Sequence, residues 1–75
     1  MARIVQLESE QKEFRIQEEV KATYSVNIIN SEKFFQIDTY GKSNRVNNNV
    51  PSQVIQINKK TALQLISILK AEFSI

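Results

Sequence analysis

The feature that most restricts the architecture of this chain lies in its last third. A short apolar run, Val54-Ile55-Gln56-Ile57, passes through Asn58-Lys59-Lys60-Thr61 straight into a helical pattern that ends near Phe73. Ala62, Leu65, Ile66, Leu69 and Phe73 recur at the three-and-four spacing of one buried helix stripe. Asn58 has the side chain of an N-cap, and Thr61 followed three residues on by Gln64 reads as a capping box, so the helix start is fixed to within a turn. Leu63 and Ile68 fall off the centre of the stripe. A helix apolar over more than one stripe needs a second cover. That cover is either another copy of the chain, which makes Leu63 and Ile68 candidate dimer-interface residues, or strands that curl far enough to reach them.

Upstream, residues 14–28 alternate. Phe14, Ile16, Val20, Ala22, Tyr24, Val26 and Ile28 occupy even positions, with Glu18 as the one charge in that row, and every odd position is polar. Period two puts the apolar row on one face of extended chain. A straight strand of that length would span roughly 50 Å, too long for so small a domain, so the pattern predicts a bulge or turn at Glu18-Glu19. Residues 8–22 are also rich in Glu, Gln and Lys, which favour helix, and stay open between the two states with strand preferred. Asn30-Ser31-Glu32-Lys33 is a polar turn before the strand-like run Phe34-Phe35-Gln36-Ile37-Asp38-Thr39-Tyr40, and together these predict a hairpin. The segment 41–52, with the only Gly and the only Pro, reads as a long Asn-rich loop made basic by Lys42 and Arg45.

A chain of 75 residues is a single domain, 1–75, and one so small buries only about 60% of the surface its unfolded chain exposes. With no cysteine and no histidine it has no disulfides, thiolate metal sites or imidazole ligands, so oligomerisation is the remaining source of burial. The same absences remove most catalytic templates, and no grouping of Ser, Lys and carboxylate replaces them; the expectation is a non-enzyme without cofactor or metal. No stretch approaches the ~20 apolar residues of a membrane span and the amino terminus is too weakly apolar for a secretory signal, which predicts a cytoplasmic protein. Residues 1–11 are read either as an unstructured tail or as an irregular first strand.

Residues 1–23 hold four basic and five acidic side chains, and residues 24–75 six basic and three acidic. The basic excess comes from the hairpin turn (Lys33), the loop (Lys42, Arg45) and the helix start (Lys59, Lys60), which could meet at one edge of a small sheet. With Phe34 and Tyr40 as stacking rings, those cations would suit single-stranded nucleic acid. Lys59 and Lys60 also stand at the positive end of the helix dipole, where cations are disfavoured; either they form an anion-binding spot with the free N–H groups of the first turn, or they are solvated lysines kept away from the helix end by their flexible stems.

The run Phe35-Gln36-Ile37-Asp38-Thr39-Tyr40, the loop, and Ile55-Gln56-Ile57-Asn58-Lys59-Lys60 leading into Leu65 and Leu69 follow the order of a known layout. Over roughly residues 22–73 the chain resembles the single-stranded-DNA-binding coactivator fold of the positive-cofactor-four type. The resemblance implies a curved antiparallel sheet backed by the helix, a dimer paired through its helices, and strand residues that hold single strands. Asp38 stands where that family tends to carry an arginine, and Ser52-Gln53 where it carries Lys-Gly.

The sequence therefore predicts an α+β protein, an antiparallel sheet of three to five strands with one carboxy-terminal helix packed on it. The leading functional expectation is a non-catalytic homodimer that binds nucleic acid, favouring single strands, through Lys33, Phe34, Tyr40, Lys42, Arg45, Lys59 and Lys60. The alternative is a protein-interaction or regulatory module with no nucleic-acid binding.

Overall fold

The computed structural model describes residues 1–41 and 50–75. Its elements are β1 (Ala2–Arg3), β2 (Ala22–Ile29), β3 (Glu32–Thr39), β4 (Gln53–Asn58) and α1 (Lys59–Phe73). They form the expected α+β arrangement, a four-stranded sheet in the order β1-β4-β3-β2 with the helix packed on it. The pairs β2–β3 and β3–β4 are antiparallel, whereas β1 joins β4 in parallel, so the sheet is mixed.

The hairpin forms because Asn30 and Ser31 both take positive φ, 53° and 68°, which closes a two-residue turn between Ile29 and Glu32. Such a turn matches the right-handed twist of the flanking strands, and Asn tolerates that geometry better than Ser does. Register then follows without a bulge: Tyr24 faces Ile37 and Val26 faces Phe35, while Phe35 and Ile37 face Ile57 and Ile55 on the other side. These residues share one apolar face, on which the Tyr24 and Phe35 rings stack with centroids 5.5 Å apart. Thr23, Ser25, Asn27, Phe34, Gln36, Asp38 and Gln56 share the opposite face.

The N-cap is Asn58, whose side-chain oxygen accepts from the Thr61 N–H at 3.2 Å while its amide donates to Glu32 at 2.9 Å. The expected capping box is therefore not used. Thr61, 1% exposed, donates its hydroxyl to the Ile4 carbonyl at 2.9 Å instead. Gln64 brackets the Leu7 backbone, accepting from its N–H at 3.0 Å and donating to its carbonyl at 2.7 Å. Both side chains thus tie residues 4–7 to the helix, which orders the amino-terminal segment as a short strand with an anchored continuation.

Two further expectations are corrected. Residues 14–21 alternate like a strand but lie outside any strand, because β3 ends at Thr39 and the last rung is the Tyr40 N–H to the Lys21 carbonyl at 3.2 Å. Alternation prepares a strand, but a neighbouring backbone is needed to make one. Nor is the helix stripe buried along its length: Ala62 and Leu65 are half-buried, while Ile66, Leu69 and Phe73 are exposed, Phe73 by 69%. Among the described residues Ile57 is the buried hydrophobic side chain and Thr61 the buried polar one.

Candidate binding surfaces

Two surfaces of opposite chemistry result from this register. The polar face carries a chain of side-chain hydrogen bonds running across the sheet, Gln56 Nε2 to Gln36 Oε1 at 2.8 Å and Gln36 Nε2 to Asp38 Oδ1 at 2.7 Å. Each amide has its orientation set by the next group, so the polar atoms at the centre of this face are paired across the sheet. At its hairpin end the Arg3 guanidinium lies over the Phe34 ring, 5.9 Å from the centroid.

The residues proposed to contact nucleic acid are divided by the fold. Phe34 pairs with Asn58, the residue before Lys59 and Lys60, so these belong to one end of the sheet. Lys33 belongs to the same end but pairs with Ile28 and points to the apolar face. Tyr40 shares the polar face with Phe34 but lies six residues away, roughly 20 Å along the strand. Lys42 and Arg45 lie outside the described residues. Between the two rings the polar face bears Asp38, and Glu32 lies just beyond Phe34 at the hairpin end; both repel phosphate. Arg3 was not legible as a member of this group, since a two-residue strand leaves no periodic signal.

Exposed apolar side chains are spread over the β2 strand, the segment before it and the helix. Along β2 every residue is exposed, including Tyr24, Val26, Ile28 and Ile29. The segment leading to it exposes Phe14 by 86% and Ile16 by 95%. On the helix Leu63, Ile66, Ile68, Leu69 and Phe73 are all exposed, so the two residues expected at a dimer interface belong to a broad apolar flank. Residues 15–18 with Val20 also curl around an open depression of about 490 Å³, but its walls come from that one segment and place no converging catalytic groups.

Among the described residues no cluster of acidic side chains could hold a metal ion, and no helix is long and apolar enough to cross a membrane. No protein family, no curated protein and no solved structure matches the chain.

Proposed function

We propose that this protein is a non-catalytic interaction module whose apolar sheet face and outer helix surface are taken up by another polypeptide, in the first instance by a second copy in a homodimer. The observation that carries this reading is the amount of surface left in water. A compact folded chain of 8.7 kDa exposes about 4,700 Å² by the scaling of folded monomers, and this one exposes 7126 Å², about 2,400 Å² more. Tyr24, Val26, Ile28 and Ile29 on the strand and Leu63, Ile66, Ile68, Leu69 and Phe73 on the helix are among the side chains left exposed.

Light scattering combined with urea unfolding at two protein concentrations tests the assembly. A mass of twice 8.7 kDa and a midpoint that rises with concentration are expected. A monodisperse 8.7 kDa species with a concentration-independent midpoint would exclude it.

A second reading rests on the Arg3–Phe34 pair, which places a cation and a ring at the same end of the sheet as Lys59 and Lys60. That combination suits a phosphate beside a stacked base, and the polar face would then hold a single strand. Fluorescence anisotropy with labelled single- and double-stranded oligonucleotides separates the readings: nucleic-acid binding must weaken steeply with salt, and no binding at low salt removes it.

A further inference from the structure

The β2 edge has the properties of a strand built to be paired. Native sheets shield their edges with charges, prolines, bulges or a covering element. This one uses none of those devices: Ala22–Ile29 is eight residues, ATYSVNII, with no charged side chain and no proline, in continuous register with β3 and exposed throughout. The direction of its free backbone groups follows from the turn. Ile29 and Glu32 flank the two-residue turn, so they exchange hydrogen bonds across the hairpin. By alternation Asn27, Ser25 and Thr23 also bond towards β3, while Ala22, Tyr24, Val26 and Ile28 direct their N–H and C=O groups outwards. The Ile28 N–H agrees with this, because it donates to the Asn27 side-chain oxygen at 3.0 Å, a local bond that a strand neighbour would replace.

We infer that the second copy docks along this edge, β2 against β2 in antiparallel orientation about a two-fold axis, giving one continuous eight-stranded sheet. This deepens the homodimer reading and rests on it. Two constraints select the register. Outward-bonding residues must face outward-bonding residues, and the apolar row must stay on one side, so paired residue numbers sum to an even value. The register centred on Ser25 satisfies both and stays within the strand: Ala22 meets Ile28 of the second copy and Tyr24 meets Val26. The neighbouring allowed registers, centred on Val26 and on Tyr24, push Ala22 against Asn30 in the turn and Ile28 against Val20 outside the strand. The two-fold then stands perpendicular to the sheet, and the Tyr24, Val26 and Ile28 rows of both copies merge into a single apolar face. A second copy fits better than an unrelated strand because the edge is self-complementary in bonding groups and face.

Cysteine cross-linking tests the pairing cleanly, since the chain has no cysteine of its own. At the axis Ser25 faces its own copy as a non-hydrogen-bonded pair, with Cα atoms about 4.5 Å apart, inside the range a disulfide spans. Full-length Ser25→Cys should therefore oxidise to a covalent dimer, while Thr23→Cys, four residues out of register with itself, should not. In parallel Val26→Pro removes an outward N–H without touching the β3 ladder, and should convert a dimer by light scattering to 8.7 kDa with its circular dichroism retained. A wild-type chain that is itself 8.7 kDa overturns both this pairing and the assembly reading. A wild-type dimer in which Ser25→Cys fails to cross-link, or Thr23→Cys cross-links as well, overturns the edge pairing alone and assigns the contact to the helix flank. If Val26→Pro unfolds, the cysteine pair still decides.

Discussion

Replacing Thr61 with valine would test whether the amino-terminal strand is held by the helix. The substitution keeps the shape of the side chain and removes only the hydroxyl, so it opens no cavity at a site that is 1% exposed. What is lost is the 2.9 Å bond to the Ile4 carbonyl. A net hydrogen bond is worth about 0.5–1.5 kcal/mol, and a buried acceptor left without a donor costs about 1–3 kcal/mol. Ile4 is half-buried, so water reaches part of the vacated site, and the cost falls near the lower end, about 1–2 kcal/mol. That is a 5–30-fold change in the docking equilibrium of residues 2–7. Hydrogen exchange reads it directly, because the Ile4 N–H donates to the Gln56 carbonyl at 2.9 Å and the Leu7 N–H to Gln64 at 3.0 Å. Both amides should exchange 5–30-fold faster in Thr61→Val at fixed protein concentration, with the β2–β3 rungs much less affected. Unchanged exchange at Ile4 would refute the reasoning. An equal acceleration at every strand would show that the bond supports the whole sheet instead of its first strand.

Ser31→Gly should stabilise the fold by about 0.5–1 kcal/mol, because Ser31 holds φ of 68° where glycine meets no steric cost; thermal denaturation checks it as a rise of a few degrees. Asn58→Ala removes both the bond from the Thr61 N–H and the bond to Glu32, and should cost about 1–2 kcal/mol in urea unfolding. The first turn of the helix contains no acidic residue, so Lys59→Glu and Lys60→Glu should each add about 0.3–1 kcal/mol at low salt by complementing the helix dipole. If those two variants instead abolish oligonucleotide binding in the anisotropy titration, the lysines serve a phosphate, and the second functional reading replaces the first.

What the sequence made legible was local. The hairpin and the helix start are written in adjacent residues: a polar turn read over residues 30–33, which Asn30 and Ser31 alone close so that Glu32 and Lys33 join β3, and a cap at Asn58 followed by a periodic run. What it did not reveal depends on distant neighbours. Residues 14–20 have the same alternation as 22–28, and only the end of β3 at Thr39 decides which half becomes a strand. Thr61 and Gln64 have capping-box spacing, yet Asn58 already caps the helix, and their polar atoms go to Ile4 and Leu7. Arg3 reaches Phe34 only because β1 lies beside β4, a pairing with no periodic trace in two residues. The apolar residues on the outer helix were visible, but a pattern of spacing records which side chains need cover and not what supplies it.

The parallel docking of β1 has a consequence for the order in which the protein is made. Leu7 and Gln64 are 57 residues apart, and at about 5–20 residues per second a ribosome needs roughly 3–11 s to pass from one to the other. Throughout that interval residues 2–7 have neither β4 nor the helix to hold them. The hairpin of β2 and β3, closed by two residues, can form long before, with its outer edge already displayed. Birth order and folding order are thus reversed for residues 2–7, which emerge before the hairpin and are seated after it.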